Sequence, residues 1–217
     1  MKHSINYPLF ILSYNVYFKA MLGLDDKFLP KKLAQSNVKS IISKVLTCNS
    51  FIFGLQEAEC IANIIPRGIP NSNYVIGKSG KEKMVTGWSK NFKLIKSLTT
   101  DFHEGRPIQM SLLESSDGIY LIVNLHAPHE YQNFGDYKGK SKVNNQKYSE
   151  ELVKIINKKI NSFVDPAIVI SRFICTGDFN EIYKKSSQYQ FNINLHGKNF
   201  TMSSDADKVK SCCYPKI

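Results

Sequence analysis

Four apolar stretches of the sequence end in hydrogen-bonding or ionisable residues. They end at Asn15, Glu57, His126 and Asp178, and Asn180 follows closely after Asp178. Carboxylate and amide oxygens are ligands that Mg²⁺ takes from proteins, and a carboxylate can also orient and deprotonate a water molecule. A histidine can donate to a phosphate oxygen or protonate a leaving group. Such a set could supply the groups needed for metal-assisted hydrolysis of a phosphodiester.

Each of these residues also has a structural interpretation. Asp178 and Asn180 stand in Gly-Asp-Phe-Asn, and Asp and Asn often start turns or cap helices. Asn15 could form a turn at a strand end, Glu57 could be a solvated strand terminus, and His126 could be a satisfied structural histidine. Their common position at strand ends favours an active site, because a rigid sheet can hold such side chains at one rim.

The apolar stretches in the first half of the chain predict a strand–helix–strand unit. Near-continuous apolar runs over residues 8–16 and 51–57 are typical of strands covered on both faces. A helix is predicted from Ser36 to Leu46, because its apolar residues recur at helical spacing after a capping serine. Residues 19–35, with Gly23 and Pro30, are predicted to form a loop. This alternation indicates the α/β class.

The second half of the chain continues with strands and one strong helix. We expect strands over residues 74–77, 84–88, 93–98, 106–113, 119–126 and 167–175, and a helix over residues 148–163. An Asp-Gly turn separates the strands at 106–113 and 119–126. Residues 130–142 read as a loop, and no strong element is predicted after Glu181. No repeat or linker marks a boundary, so residues 1–217 are predicted to form one domain.

The composition favours an anionic partner. The 217 residues include 29 Lys and Arg against 18 Asp and Glu, which gives a formal charge of +11. Nucleic acid, phosphorylated small molecules and acidic lipid headgroups are the partners that such a charge attracts. A general bias towards Lys, Asn and Ile would explain the charge equally well. Six lysines could flank the site from loops: Lys78, Lys81, Lys83, Lys138, Lys140 and Lys142.

Cysteine usage predicts a reducing compartment. There are five Cys, an odd number, and none stands in a Cys-x-x-Cys pair. We therefore expect reduced thiols rather than a disulfide framework or a zinc site, and an intracellular location such as the cytoplasm or nucleus. No apolar run is long enough for a transmembrane segment, and residues 8–12 are too short for a secretory signal.

Four short motifs resemble those of the endonuclease/exonuclease/phosphatase superfamily, the group of DNase I-like enzymes. The resemblance extends over residues 8–182 and includes the order of the motifs. It implies a four-layer sandwich in which two packed mixed β-sheets are flanked by helices. The motifs are Ser13-Tyr14-Asn15, Gly54-Leu55-Gln56-Glu57-Ala58, Asn124-Leu125-His126-Ala127-Pro128 and Thr176-Gly177-Asp178-Phe179-Asn180.

The resemblance also implies roles for individual residues. Glu57 would be the principal ligand of Mg²⁺, or of Mn²⁺, and Asn15 would assist it. Asp178 would orient and activate the attacking water, and Asn180 would position the phosphate or Asp178. His126 favours the DNase I-like branch over the apurinic-site branch. The chain is accordingly predicted to be a Mg²⁺-dependent phosphodiesterase, and specifically a nuclease.

Two features leave alternatives open. Arg106, in Gly-Arg-Pro, matches only weakly a basic residue that the family places near the substrate. The family's final Ser-Asp-His motif is not found, since Ser204-Asp205 is followed by Ala206. We therefore expect a C-terminally truncated domain that lacks its last strands and has reduced activity, unless a second chain supplies that segment. The alternative functions are non-catalytic nucleic-acid binding and a phosphatase activity on a phospholipid or inositol phosphate.

Overall fold

The computed structural model describes residues 8–25, 27, 29–60, 72–80, 82–103, 106–127, 145–178 and 191–202. The chain divides into two compact units, and the prediction of a single domain stays a prediction. The first unit comprises residues 1–128 and 167–180, and the second comprises residues 129–166 and 181–217. All the described candidate site residues lie in the first unit.

The first unit contains a sheet in which the second and third strands by sequence are not neighbours. In space the order is β1-β2-β4-β3, with β1 parallel to β2 and the other pairs antiparallel. The sheet therefore mixes both kinds of pairing. Its strands are β1 (Phe10–Asn15), β2 (Phe51–Gln56), β3 (Ser72–Ser79) and β4 (Glu82–Ser89).

A second mixed sheet follows in the same unit, with the order β5-β6-β7-β8. The first three strands form an antiparallel meander, with the predicted Asp-Gly turn between β6 and β7, and β8 runs parallel to β7. The register places His126 opposite Asp178 at the ends of β7 and β8. The strands are β5 (Lys93–His103), β6 (Arg106–Ser115), β7 (Gly118–His126) and β8 (Ile170–Asp178).

The two sheets pack face to face around an apolar core that contains a few polar bridges. Ile52 and Trp88 of the first sheet join a buried cluster with Ile122 and other residues of the second. Two buried hydrogen bonds cross between the sheets: Gln56 Nε2 donates to Asn124 Oδ1 at 2.7 Å, and Thr86 Oγ1 donates to Gln109 Oε1 at 2.6 Å. The predicted pair of packed mixed sheets is thus confirmed.

Two helices of the first unit contribute to a second apolar cluster. They are α1 (Phe18–Leu22) and α2 (Lys31–Leu46), and α2 buries Ala34, Val38 and Ile42. These side chains share a core with Phe51, Phe53 and Leu55 of β2. The predicted loop over residues 19–35 is wrong, and so is the predicted cap at Ser36. Pro30 precedes α2 with a φ of −56°, which suits a helix entry, and Ala34 extends the apolar face by one turn.

A glycine on β4 is covered by an aromatic ring of β2. Phe53 stands directly opposite Gly87 in the antiparallel register. A Cβ atom added at Gly87 would lie 2.1 Å from Phe53 Cζ, so the ring occupies the space that a side chain would need. This arrangement protects a glycine in a strand, which has no side chain of its own to pack.

The second unit contains one helix and one hairpin: α3 (Asn145–Phe163), β9 (Phe191–Leu195) and β10 (Lys198–Met202). The hairpin was not predicted. Its turn consists of His196 and Gly197, with φ angles of 47° and 86°, and such left-handed turns suit the twist of antiparallel strands. No helix in the described parts of the chain is long and apolar enough to cross a membrane.

Candidate active site

The ends of four strands meet at one rim of the first unit. Asn15 ends β1, Glu57 directly follows β2, His126 ends β7 and Asp178 ends β8. Because β1 is parallel to β2 and β7 is parallel to β8, the carboxyl ends of each pair face the same way. Hydrogen bonds between these residues join the two pairs. We call this group, together with Glu82, the site rim.

Asn15 connects the two carboxylates that the sequence singled out. Its Nδ2 atom donates to Glu57 Oε1 at 3.2 Å and to Asp178 Oδ2 at 2.8 Å. Its Oδ1 atom accepts a hydrogen bond from the Tyr17 backbone N–H at 2.9 Å, which fixes the orientation of the amide. The two bonded carboxylate oxygens are therefore at most about 6 Å apart.

Glu57 adopts a backbone conformation that is uncommon for a residue with a side chain. Its φ is 53°, in the left-handed region, where such a residue costs about 1–3 kcal/mol unless its surroundings impose the conformation. The backbone N–H of Phe18 donates to Glu57 Oε2 at 3.2 Å, and the Glu57 N–H points to Glu82 Oε1 at 3.4 Å. These contacts hold the carboxylate at the rim as the chain leaves β2.

His126 is paired with Glu82, which the sequence did not single out. His126 Nδ1 donates to Glu82 Oε1 at 2.6 Å, and both residues are buried, with 1% and 8% of their surface exposed. His126 Nε2 lies 3.9 Å from Glu57 Oε1. The carboxylate therefore fixes the proton on Nδ1 and leaves Nε2 facing Glu57.

Arg106 completes this pair. Its Nη1 atom lies 3.3 Å from Glu82 Oε2 and 3.2 and 3.3 Å from the two ring nitrogens of His126. The structure thus places Arg106 beside the histidine. Glu82 stands at the start of a strand in Lys-Glu-Lys, and a glutamate between two lysines is typical of a solvated surface. The missing signal was the pairing of β4 with β2, which brings the start of β4 to the end of β2.

Ser13 links the two sheets immediately behind the site rim. The Gly177 backbone N–H donates to Ser13 Oγ at 2.8 Å, and Ser13 Oγ donates to the Gly177 carbonyl at 3.1 Å. A Cβ atom at Gly177 would lie 2.5 Å from the Leu125 carbonyl oxygen, so only glycine fits between β7 and Ser13. Ser13 and Gly177 therefore hold the two strands together and so position Asn15 and Asp178, which belong to the same two motifs.

Further carboxylates surround Glu57. Glu59 accepts a hydrogen bond from the Lys83 backbone N–H at 3.3 Å. Burial, and to a lesser extent the neighbouring carboxylates of Glu82 and Glu57, raises the pKa of Glu59 above its ordinary value. This part of the rim is thus rich in negative charge, which favours a bound cation.

The donor set fits a hard divalent cation. Glu57 and Asp178 offer carboxylate oxygens next to one amide, and Mg²⁺ takes few protein ligands while keeping waters and phosphate oxygens. Within the described ranges no group of three or more His, Cys, Asp or Glu side chains could hold a metal ion by itself. A cation here would thus depend on Glu57, assisted by Asn15, and on ligands from outside the protein.

Several of the other predicted residues lie outside the described ranges. Asn180 is outside the described residues, as are Lys81, Lys138, Lys140 and Lys142. Lys78 and Lys83 are paired across β3 and β4 rather than in a loop. Because successive side chains of a strand point to opposite faces, both lysines lie on the face of the first sheet away from Glu82.

The described cysteines take no part in the site. Cys48, Cys60 and Cys175 are free thiols. Burial raises the pKa of the Cys175 thiol to about 12 and also raises that of Cys60. Both thiols therefore stay protonated at neutral pH, which makes them poor nucleophiles.

Solved structures share this fold. The chain is similar to D. rerio TDP2 complexed with a single-stranded DNA product (15% identity, 79% of this chain and 60% of that chain, TM-score 0.50). It is also similar to an endonuclease/exonuclease/phosphatase family protein from Bacteroides thetaiotaomicron (17%, 82% and 67%, TM-score 0.51). A third is ANGEL2, a 2′,3′-cyclic phosphatase, in complex with adenosine-2′,3′-vanadate (11%, 80% and 53%, TM-score 0.54).

These similarities identify the fold as that of the endonuclease/exonuclease/phosphatase superfamily, the DNase I-like fold that the four motifs predicted. The chain spans less than two thirds of the length of the TDP2 chains it matches, at 65, 64 and 60%. No protein-family model and no curated protein sequence matches this chain.

Proposed function

We propose that this protein is a divalent-cation-dependent phosphodiesterase, and specifically a nuclease that uses Mg²⁺ or Mn²⁺. The observation that carries the proposal is the joint hydrogen bonding of Asn15 to Glu57 and Asp178, beside the buried His126–Glu82 pair. This arrangement combines a cation site, a base for water and a donor to a phosphate oxygen. Metal-assisted hydrolysis of a phosphodiester can use these three functions together.

Each residue has a distinct role in the proposal. The cation, held by Glu57 with help from Asn15, would neutralise charge on the phosphate. Asp178 orients the attacking water towards phosphorus and accepts a proton from that water. Glu82 holds the Nδ1–H of His126, and a proton on Nε2 of the same ring would be donated to a non-bridging oxygen of the phosphate.

Two more residues bind the phosphate. Arg106 lies within hydrogen-bonding distance of both Glu82 and His126, so its guanidinium balances the Glu82 carboxylate and would add positive charge next to the scissile phosphate. Asn180, two residues beyond Asp178, is proposed to position the phosphate or the Asp178 carboxylate, as the resemblance implies.

Nucleic acid is the proposed substrate. The formal charge of +11 favours a polyanion over a small phosphodiester that carries a single negative charge. Among the similar structures, TDP2 contains a DNA product and ANGEL2 contains a nucleoside vanadate, which supports the same substrate class. The competing candidates are non-catalytic nucleic-acid binding and hydrolysis of a phospholipid or inositol phosphate.

A hydrolysis assay with three substrates tests the proposal. End-labelled single-stranded DNA, single-stranded RNA and bis(p-nitrophenyl) phosphate are incubated with the purified chain in Mg²⁺, Mn²⁺ or EDTA. We expect cation-dependent cleavage of a nucleic acid, and its loss in Glu57→Ala and in Asp178→Asn. Glu114→Gln, on the exposed surface of β6, is the matched control and should keep full activity.

The other outcomes distinguish the alternatives. Salt-sensitive binding without cleavage, unchanged in both variants, would replace the nuclease by a nucleic-acid-binding protein. Cleavage that persists in EDTA or in Glu57→Ala would exclude the proposed cation site. Release of phosphate from inositol phosphates or lipids, with no action on nucleic acid, would reassign the substrate.

A further inference from the structure

One face of the first sheet is covered over β2 and β4 but is left open along β3. This is the face towards α2, because Phe53 and Val85, which lie on it, join the buried apolar cluster of that helix. Ile76 of β3 stands opposite Val85, and Tyr74, two residues earlier, lies on the same face. Val85 has no exposed surface, whereas Tyr74 and Ile76 are 42% and 50% exposed. The cover over this face therefore ends at β4.

The same face carries two lysines at the end of β3 that is closest to the site rim. Lys78 of β3 stands directly opposite Lys83 of β4, and like charges in that position repel each other. The Glu82 carboxylate is bonded to His126. Glu59 accepts the backbone N–H of Lys83 at 3.3 Å. In the described part of the chain no carboxylate forms an ion pair with either ammonium group. An anion held between the two lysines would relieve their repulsion.

These four side chains form a narrow row on the outside of the sheet. We call them the outer stripe: Tyr74, Ile76, Lys78 and Lys83. The row leads towards the site rim, since Ser79 at the end of β3 is paired with Glu82. Tyr74 lies five residues before that end, which corresponds to about 17 Å along a strand. The aromatic ring is thus far from the rim, and the two lysines are close to it.

A row of this kind suits a linear polyanion with accessible bases. An exposed tyrosine ring can stack on an unpaired base, because every base has a π face. Two lysines further along the row can hold phosphate groups of the same strand. A duplex does not offer the faces of its bases, and a lipid surface would need a broader apolar face than the two side chains of Tyr74 and Ile76.

We propose that the outer stripe binds single-stranded nucleic acid on its way to the site rim. One base stacks on Tyr74, and backbone phosphates lie against Lys78 and Lys83. The inference rests on the proposed nuclease function for the identity of the strand, while the contacts themselves require neither a cation nor hydrolysis. The substrate class is thereby narrowed to unpaired strands that are long enough to reach from the site rim to Tyr74.

A binding assay with three single variants tests the stacking contact. Fluorescence anisotropy in EDTA follows a labelled oligothymidylate of about eight nucleotides, a length typical of single-strand-binding surfaces. We expect Tyr74→Leu to weaken binding by about fivefold or more, and Tyr74→Phe, which keeps a ring, to bind like the parent. Phe10→Leu removes a ring that is 50% exposed on β1 and should leave binding unchanged. Equal binding by Tyr74→Leu and Phe10→Leu, or by Tyr74→Leu and Tyr74→Phe, would overturn the proposal.

The lysine pair is tested by the salt dependence of the same binding. Lys78→Ala/Lys83→Ala should weaken binding and reduce the slope of log K against log salt by about 1.4, or roughly 0.7 for each phosphate contact with a single strand. Lys32→Ala/Lys39→Ala, on the exposed surface of α2, changes the net charge equally and should change the slope less. Equal slopes for the two double variants would contradict the assigned phosphate contacts.

Cross-linking locates the bound strand directly. The oligonucleotide is prepared with 5-iodouracil in place of thymine and irradiated with the parent protein in EDTA, and mass spectrometry identifies the linked residue. We expect the main link at Tyr74, and its loss in Tyr74→Leu. Links confined to other residues would show that the strand runs elsewhere. Sedimentation with phosphatidylserine vesicles that is lost in Tyr74→Leu, with unchanged oligonucleotide binding, would reassign the outer stripe to a lipid surface.

A small substrate separates the outer stripe from the site rim. Bis(p-nitrophenyl) phosphate cannot reach from the rim to Tyr74, so Tyr74→Leu should hydrolyse it at the rate of the parent in Mg²⁺. Cleavage of the oligonucleotide at low concentration should fall by about fivefold or more in the same variant. If the parent cleaves neither substrate, the nuclease function fails, and the binding and cross-linking results still decide the outer stripe. If Tyr74→Leu equals the parent on both substrates, the outer stripe fails and the nuclease function stands.

Discussion

His126 Nδ1 and Glu82 Oε1 lie 2.6 Å apart, although 44 positions separate the two residues in sequence. Glu82 begins β4 of the first sheet and His126 ends β7 of the second, so this short hydrogen bond crosses the sandwich. A carboxylate on Nδ1 sets the ring tautomer and the orientation of the ring. The histidine is therefore oriented before any substrate arrives.

Replacing Glu82 with Gln tests this orientation. Glutamine keeps the size of the side chain and removes the charge that fixes the His126 proton. We expect kcat for nucleic-acid cleavage to fall by about 10- to 100-fold, the range typical of groups that orient a catalytic side chain. KM should change little, because Glu82 is 8% exposed and partnered within the protein. Steady-state kinetics in Mg²⁺ measure both parameters.

A comparison of kcat with thermal stability separates this role from a structural one. If Glu82 acts through the histidine, kcat should fall in Glu82→Gln at temperatures where the variant is still fully folded. Glu114→Gln serves again as control. A loss of activity that merely follows a loss of thermal stability would assign Glu82 a structural role only.

Asn15→Asp tests the proposed cation site without measuring activity. The change places a third carboxylate against Glu57 and Asp178, and removes the N–H groups that both accept. In EDTA we expect Tm to fall by about 3 °C or more, since roughly 1–3 kcal/mol of hydrogen bonding is lost. Mg²⁺ should raise Tm more in this variant than in the parent, because it neutralises the added charge.

Calorimetry or scanning fluorimetry measures these shifts. Asn49→Asp, in the exposed turn before β2, is the matched control and should show no added response to Mg²⁺. An identical Mg²⁺ response in Asn15→Asp and in Asn15→Asp/Glu57→Ala would place the cation elsewhere.

Gly87→Ala tests the ring that covers β4. The new methyl group meets Phe53 at 2.1 Å, so we expect a loss of about 1–3 kcal/mol in the free energy of unfolding, typical of overpacking. Phe53→Leu should relieve the clash, and the double variant should be more stable than the sum of the single changes predicts. Urea denaturation of the parent, the two single variants and the double variant gives the coupling free energy between the two positions. Strict additivity would show that the ring does not rest on the glycine.

Asp117 is expected to stabilise the β6–β7 turn in a pH-dependent way. It is hydrogen-bonded to the Ser115 hydroxyl, and Tyr120 Oη donates to it at 2.7 Å. These bonds, first that of Ser115, together with the nearby Arg172, lower the pKa of Asp117 below its ordinary value. Because the folded pKa is depressed, the stabilisation is present above about pH 4 and is lost as pH falls through the lowered value.

Asp117→Asn should therefore lower the urea midpoint at pH 6 and have progressively less effect towards pH 2. The side chain is largely exposed, so the difference should be small. A gap between parent and variant that persists unchanged at the lowest pH would show that the charge of Asp117 is not its source.

Lys78→Glu tests the route by which nucleic acid approaches the site. Lys78 is exposed and is paired with Lys83 near the start of β4, so its reversal places negative charge at the edge of the sheet closest to the site rim. We expect weaker binding of labelled single-stranded DNA in EDTA and a shallower dependence of binding on salt. Lys39→Glu on α2 changes the net charge equally and should weaken binding less. Equal losses would indicate attraction by the overall charge alone.

The sequence was sufficient to predict the class of fold and most residues of the site rim. Buried strands have a continuous apolar pattern, and each run over residues 8–16, 51–57 and 119–126 coincides with a strand of the structure. Polar residues that end such strands stand out, and the structure places Asn15, Glu57, His126 and Asp178 together. Their catalytic roles stay predictions.

The features that could not be predicted from the sequence depend on which strands pair and on local backbone conformation. Glu82 begins a strand between two lysines, and only the order β1-β2-β4-β3 brings it to His126. α1 has five residues and no side-chain cap, so its pattern is too short to distinguish from a loop. The β9–β10 turn places His196 in a left-handed conformation that few residues other than glycine adopt, and His-Gly is a weaker hairpin signal than Asn-Gly or Asp-Gly.

The double hydrogen bond between Ser13 and Gly177 joins positions 164 apart in the chain. During synthesis, β1 leaves the ribosome long before β8 exists, so Asn15 has no Asp178 to hold. Closing a loop of this length has an entropic cost, and such contacts form late and slow the folding of a domain. The nascent polypeptide is consequently unable to complete the site rim until translation has passed residue 178.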